Sequence, residues 1–358
     1  MMVRVLLLLA ACGSPWEESI EDGLRHLSGN FRTDGSGEIE VDFRVDEGET
    51  AFAAVAQATP LRTNLPRLAG PDGMLFEADT QSAYFLTNAG FVSPVSVLSW
   101  PILDGDPPVV EGEYAVAVGT LASEALAYEP GDFTVDVWLK SDPEAESGAV
   151  QVRLVWTAGL ASSDSSAAFD AAFAIWEEVY AAKGLAVVRL ADADWDGAPI
   201  GLPGETPEGW LGMSGEGPPR VVNLVVVESI DGMAQAYGLA GGIPGPPGAT
   251  AASGVLVSLG LGAGVDGTFS ALETRLLAET LAHETGHYLG LFHPVEIGWL
   301  QWDALDDTDA CVTEATCEAT FATNLMFPYP VCDLRACTPQ DQLTGAQGRV
   351  ANRHVLVD

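Results

Sequence analysis

Basic residues are scarce in this chain: 15 Lys and Arg face 51 Asp and Glu, a formal net charge of -36 over 358 residues. So acidic a surface repels nucleic acid and anionic lipid alike, and neither is expected as a partner. Long apolar runs are scarce as well. The N-terminal stretch Met1-Met-Val-Arg-Val-Leu-Leu-Leu-Leu-Ala-Ala-Cys12 falls short of the ~20 apolar residues that a spanning helix needs, and no other segment reads as one. Cysteine is absent between Cys12 and Cys311, which leaves no thiol for a latency switch in the N-terminal region. Histidine numbers only five, yet three of the five fall within eleven residues.

Hydrophobic residues make up 47% of the chain, which excludes global disorder, and the length allows two domains with separate cores. One basic residue, a short apolar run and small residues before a cysteine read as a cleaved export signal over residues 1–11. Leu9-Ala10-Ala11-Cys12 resembles the bacterial lipobox, which implies lipidation of Cys12 and a chain anchored to a membrane without spanning it. A plain secretory signal is the other reading. Gly13 lacks the aspartate that favours inner-membrane retention, so the expected place is the outer membrane or cell surface. Cys311, Cys317, Cys332 and Cys337 form an even set that reads as two disulfides in an oxidising compartment, with all three pairings open; a four-thiolate zinc site is the rival reading.

Residues 12–30 are polar and contain glycine, and read as the lipidated cysteine and a tether. Period-two alternation then begins. Ile39, Val41, Phe43 and Val45 interleave with charged residues, and the pattern returns at Tyr114 to Val118 and Phe133 to Leu139. Short strands with Gly, Pro and Asp turns predict an all-β sandwich over 31–145, resembling the small sandwich domains that accompany secreted bacterial peptidases. A spacer without ligand is an equal reading of it. After Ser141-Asp-Pro-Glu-Ala-Glu-Ser-Gly148 the pattern becomes mixed, so 146–358 is expected to be α+β. Strands are predicted at 150–156, 185–190, 221–227 and 255–259, a helix at 165–183 with the core stripe Phe169, Phe173, Trp176 and Tyr180, and a second helix at 268–289. Gly241-Gly-Ile-Pro-Gly-Pro-Pro-Gly248 reads as a surface loop. His26 and His354 read as solvated bystanders.

The second helix carries His283-Glu-Thr-Gly-His-Tyr-Leu-Gly-Leu-Phe-His293. Four helical residues advance about 400°, so His283 and His287 share a face roughly 6 Å apart along the axis and both can reach one ion. The expected core face of that helix runs through Leu272 and Leu276 to Thr280 and the histidines. His293 can join only if the helix breaks, and Gly290 sits where a left-handed residue would end it. Three neutral imidazoles leave a fourth tetrahedral position open, the arrangement of a catalytic zinc. Glu284 lies beside the first ligand without being aimed at the ion, where a carboxylate can take a proton from water and pass it to a leaving amine.

This stretch resembles the signature His-Glu-x-x-His-x-x-Gly-x-x-His of the metzincin metallopeptidases at all five positions. The resemblance implies a mixed sheet with an active-site helix, a Zn2+ cofactor, a protein or peptide substrate and a methionine turn, for which Asn324-Leu-Met-Phe-Pro-Tyr329 offers Met326. The long insertion before Met326, with Asp303-Ala-Leu-Asp-Asp-Thr308 and the cysteines, looks more like pappalysin-like peptidases than matrixins. Thr338-Pro-Gln-Asp-Gln342 reads as the start of a closing helix. Tyr329 lies three residues after the methionine where pappalysin-like turns tend to place tyrosine two after it, and is the candidate for holding the oxyanion. The resemblance also implies that a short edge strand, Val255 to Leu259, pairs with extended substrate.

Ca2+ is the second ion considered. Asp192, Asp194 and Asp196 alternate before Gly197 as in a calcium loop, but Pro203 stands where the closing glutamate belongs, so an acidic turn is the plainer reading. Asp303, Asp306 and Asp307 make a second oxygen-rich loop, and the pappalysin-like resemblance implies calcium there. The expected whole is a monomeric, lipid-anchored zinc endopeptidase, its rival a surface binding or adhesion protein that keeps the zinc-stabilised fold without cutting.

Overall fold

The computed structural model describes residues 14–358 except 22, 79–92, 123–126, 143–145, 158, 196–219, 231–232, 234–235, 251, 264–265, 304 and 333–335. Cys12, Asp196 and residues 143–145 of the acidic linker therefore lie outside the described residues. The chain divides into two compact units, Met1–Ala145 with Arg353–Val355, and Glu146–Asn352 with Leu356–Asp358.

The first unit contains strands and, among the described residues, no helix. In chain order they are β1 (Trp16–Glu21), β2 (Leu24–Arg32), β3 (Glu38–Val45), β4 (Ala51–Gln57) and β5 (Arg62–Gly70). There follow β6 (Gly73–Glu77), β7 (Val95–Trp100), β8 (Gly112–Leu121) and β9 (Asp132–Lys140). One sheet runs β1-β2-β9-β4-β7 and a second runs β3-β8-β5-β6, all antiparallel. The alternation read at 39–45 is β3, where Val41, Phe43 and Val45 are buried between exposed Asp42 and Arg44. Phe43 and Tyr114 of one sheet meet Phe52 of the other at 5.1 and 5.4 Å between ring centroids, so the apolar faces of the two sheets share a core.

Three expectations are corrected here. The stretch 12–30, read as lipidated cysteine and tether, holds β1 and most of β2: the run is polar by count, yet Leu24 and Leu27 are buried and β2 pairs with β9 along eight residues. His26 is correspondingly no bystander, since that pairing sets it opposite Trp138, stacked at 3.8 Å with Nε2 2.8 Å from Asp136. His354 is buried too, and burial, with Lys140 adding to it, holds its imidazole down at about 3.

The second unit opens with β10 (Gly148–Thr157), α1 (Ser163–Ala181), β11 (Leu185–Arg189), β12 (Ala193–Trp195), β13 (Val221–Val227), β14 (Gly238–Ala240) and β15 (Val255–Ser258). Its helices continue with α2 (Leu259–Gly262), α3 (Ala271–Tyr288), α4 (Glu314–Phe321) and α5 (Gly345–Arg353). The sheet order is β11-β10-β13-β15-β14, with β12 also beside β10; every pair is parallel except β14 with β15. β13 and β15 are buried on both faces, as continuous Val and Leu runs require. None of the described helices is long and apolar enough to cross a membrane.

Helix α1 starts at a capping box of Ser162 and Ser165 and buries the predicted stripe Phe169, Phe173, Trp176 and Tyr180. Each such aromatic contributes roughly 2–3 kcal/mol of apolar burial. Tyr180 reaches α3, donating to the Ala282 carbonyl at 2.7 Å. Three further expectations change in this unit. The strand 255–259 is not the edge, because β14, too short to read from sequence, lies outside it. The run 241–248 is largely buried, Tyr288 donating to the Pro246 carbonyl at 2.6 Å, so it packs on the end of α3 and is no surface loop. The last helix begins at Gly345, whereas Thr338–Gln342 is extended chain bridging back to Asn324.

Candidate metal centre

Helix α3 begins at a reciprocal capping box between Ser270 and Glu273. Its core face is Leu277, Ala278, Leu281, Ala282, Thr285 and Tyr288, while Leu272 is exposed; the helix is turned from the face expected on Leu272 and Leu276. It ends as Gly290 requires. Gly290 has φ of 93°, its N–H bonds to the His287 carbonyl at 2.9 Å and the Leu291 N–H to the Gly286 carbonyl at 2.9 Å, the paired bonds of a Schellman stop. The chain then turns back and brings His293 to the other two imidazoles.

The three Nε2 atoms converge. His287 and His293 stand 3.1 Å apart and His293 and His283 3.3 Å apart. Four ligands around zinc at about 2.0–2.1 Å are spaced by roughly 3.3 Å, so these two sides match a tetrahedral face, and all three ligand atoms lie within 4.8 Å of one another. Each ring is held from behind: His283 Nδ1 donates to the Leu325 carbonyl at 2.7 Å, His287 Nδ1 to the Leu291 carbonyl at 2.7 Å, and His293 Nδ1 to Glu296 at 3.0 Å. Those partners put the protons on Nδ1 and leave three lone pairs facing one another, which repel unless a cation lies between. Burial, with the neighbouring imidazoles adding to it, pushes His283 down to about 3 and His287 well below its ordinary value, so both stand ready as neutral ligands. The donor set fits a zinc-type ion. Among the described residues these three side chains are the group of His, Cys, Asp and Glu that could hold a metal.

Glu284 is half-buried beside the triangle. Burial pushes its carboxyl up to about 8, and its stem lies against the bare backbone of Gly238 in β14. Met326 lies under the helix with no exposed surface; its N–H is held by Asn324 Oδ1 at 2.9 Å, and Asn324 is itself tied to buried Gln347. The preceding Leu325 supplies the carbonyl on His283, so the turn that carries Met326 also orients a ligand.

The insertion between His293 and Met326 has its own small core of Val295, Cys311, Cys317, Phe321 and Phe327. The cysteines pair as Cys311–Cys317 and Cys332–Cys337, which settles the open pairing and removes the four-thiolate alternative. Tyr329 packs on Phe327 and its hydroxyl donates to Glu318 of α4 at 3.2 Å. Burial first, then Glu318 and Glu314, push that hydroxyl up to about 12.

The described aspartates do not gather as calcium loops, and Asp196 of the first set lies outside the described residues. Asp192 is taken by Arg189 and by the Trp156 indole, and Asp194 is part of strand β12, so this run pairs with β10 where an ion loop would turn. Asp303 is buried and accepts from Thr308 and the Leu305 N–H, and Asp307 accepts from the Ala346 N–H at the start of α5. Burial pushes Asp303 up to about 6. Neither set forms a group of three ligand atoms among the described residues.

Glu296 was not singled out from sequence, although an acid three residues after the third histidine is a legible signal. It is the one charged partner among the three that orient the ligands. Glu296→Ala is expected to weaken zinc binding about 10-fold to 100-fold, read by competition with a chromogenic chelator, with the fold unchanged by circular dichroism. An unchanged affinity would mean that His293 is held by packing alone.

No family model matches the chain, and no curated protein matches it. Similar solved structures include archaemetzincin from Methanopyrus kandleri, at 15% identity and a TM-score of 0.31, over 60% of this chain and 91% of that one. Metalloproteinase-II from Bacteroides fragilis shows 10% identity and a TM-score of 0.29 over 83% of this chain and 78% of that one. Aeromonas hydrophila PliG, a periplasmic lysozyme inhibitor of g-type lysozyme, shows 14% identity and a TM-score of 0.20 over 33% of this chain and 86% of that one. What the site can do therefore rests on this chain's own imidazoles, their partners and Glu284.

Proposed function

We propose that the second unit is a zinc-dependent endopeptidase of the metzincin type, pappalysin-like in its long insertion. The observation that carries this reading is the triangle of Nε2 atoms, each ring fixed through Nδ1, with a half-buried glutamate beside it. When bound, zinc supplies Lewis acidity, polarising a carbonyl oxygen and bringing the pKa of water toward neutrality. His283, His287 and His293 hold the ion and stay neutral. Glu284 takes the proton from the attacking water and returns it to the departing amine, so that water is split across the amide to give a carboxylate and an amine. A carboxyl with a raised pKa suits both halves of that cycle near neutral pH. Tyr329 can hold an oxyanion only by leaving Glu318.

The substrate is an extended protein or peptide segment pairing with the outer edge of β14. The first unit is read as a β-sandwich accessory domain, and Cys12 as the lipid anchor of an exported, monomeric protein at the outer membrane or cell surface. The two disulfides and the acidic surface support an oxidising, extracytoplasmic setting. Calcium has no support from the described aspartates.

The test is digestion of an unfolded protein by the purified chain from Gly13 onward, before and after chelation. One zinc per chain, loss of cutting on chelation and recovery with added zinc are expected. Undiminished cutting by metal-free protein would end the zinc reading.

A further inference from the structure

Gly238 is a glycine that its own backbone does not require. It lies in strand β14 with φ outside the left-handed region that Gly267, Gly290 and Gly298 occupy, so an L residue fits the conformation there. A glycine inside a strand weakens it, through chain entropy and a missing side chain, and marks a place of close approach. What approaches Gly238 is helix α3. A Cβ at Gly238 would lie 2.5 Å from Glu284 Cγ, 3.1 Å from Glu284 Cδ and 2.9 Å from Thr280 Cγ2. Thr280 and Glu284 stand one helical turn apart, and both reach the same point of β14.

The contact is held from each side. Thr280 Oγ1 donates to the Leu276 carbonyl at 2.8 Å, which fixes the direction of its methyl group. On the other side β14 is tied to β15, the Ser258 N–H to the Tyr237 carbonyl at 2.8 Å and the Gly241 N–H to the Gly254 carbonyl at 2.9 Å. Glu284 Cγ is the first atom beyond Cβ, so it can leave Gly238 only by a change of χ1, and the preceding helical turn leaves few alternatives. Such a change carries the carboxyl away with it.

We propose that Gly238 is the positioning residue for Glu284: its bare α-carbon, with the Thr280 methyl group alongside, fixes the rotamer that holds the carboxyl beside the imidazole triangle. The inference rests on the peptidase reading and extends it to a residue of β14. Hydrogen-bonded pairs alternate in an antiparallel ladder, so Gly238, next to the bonded Tyr237, turns its own N–H and C=O to the outer edge of the sheet. The base and a substrate backbone paired on that edge are thereby referred to one residue.

A melting cycle tests the contact without activity. Gly238→Ala is expected to lower the Tm of the zinc-loaded chain by several degrees, because the new methyl group overpacks the glutamate stem. The same substitution added to Glu284→Ala with Thr280→Ser, which together remove all three atoms it meets, is expected to leave Tm level or raise it, since alanine restricts the unfolded chain more than glycine does. A single variant that does not fold beside a relieved variant that does is the same result in stronger form. An equal fall in both backgrounds overturns the proposal. Kinetics on a peptide substrate test the positioning: Gly238→Ala should lower kcat by about 10²-fold, the size of effect that a misplaced catalytic group produces, with zinc content at the parent's and KM within about twofold. A rise in KM with kcat kept would make Gly238 a substrate contact and overturn its role toward Glu284. Absence of any cutting by the zinc-loaded parent would instead defeat the peptidase reading, leaving the melting cycle to judge the contact.

Discussion

Glu284→Ala lowers kcat on an unfolded protein substrate by about 10²–10⁴-fold and leaves zinc at the parent's content. The size follows from the role: removing a positioned proton carrier costs the proton transfers at both the attacking water and the leaving amine. At about 1.4 kcal/mol per tenfold, the loss corresponds to roughly 3–5 kcal/mol of barrier. The fold should be unaffected. Alanine is the best helix former, and the lost side chain is not among the buried apolar face of α3. The three imidazoles keep their Nδ1 partners in the variant, so the metal stays. Zinc content by mass spectrometry and kcat by peptide release decide the matter together. Zinc in both proteins with cutting in neither would turn the weight to a silent surface binding protein. A variant that cuts within tenfold of the parent would assign the proton to another group.

Gly286→Ala is the second large effect, and it acts on the support beneath the site. A Cβ there would meet Met326 Sδ at 2.7 Å, Met326 Cε at 3.3 Å and Leu291 Cδ1 at 3.4 Å. The thioether is flexible, but Met326 is fully buried and its backbone is pinned through Asn324 to Gln347. The overpacking is expected to cost about 1–3 kcal/mol, a fall in Tm of several degrees for a unit of this size. A shift of that turn also moves the Leu325 carbonyl away from His283, so zinc affinity should drop alongside stability. Met326→Ala added to Gly286→Ala makes room for the new methyl group. The double variant should lose less stability than the sum of the two single losses, the sign of direct contact in a double-mutant cycle. Strict additivity would mean that Met326 does not abut the helix at this position.

The parts of this protein that were legible share one property: they are set by contacts close in sequence. The stripe Phe169, Phe173, Trp176 and Tyr180 follows from helical periodicity, the alternation at Val41 to Val45 from the pleat, and the stop at Gly290 from the one residue type that takes φ of 93° without strain. His283 and His287 face one ion because of helix geometry alone. The parts that were misread depend on partners far along the chain. β1 and β2 look polar in isolation; β2 is a strand because β9 pairs with it from 100 or more residues away, and β1 because β2 then offers it a ladder. β14 has three residues, fewer than any periodic signal needs, and is a strand because β15 offers it a ladder. Asp192 sits in a spacing that suits calcium, and Arg189 and Trp156 take it first.

By itself, then, the sequence determined the three ligands, the break that lets the third return, the neighbouring glutamate and the even set of cysteines, since each is a property of residue type and spacing. Tertiary structure decided how His283 is oriented: the Leu325 carbonyl, 42 residues on, holds its Nδ1, whereas the partners of His287 and His293, Leu291 and Glu296, are four and three residues away. It also decided that Gly238 of β14 lies against Glu284, and that Gly286 must be bare above Met326. These are contacts made in space between segments 40 or more residues apart. The physical reason is that spacing along a helix fixes direction within a few residues, whereas close approach between elements depends on how the whole core packs.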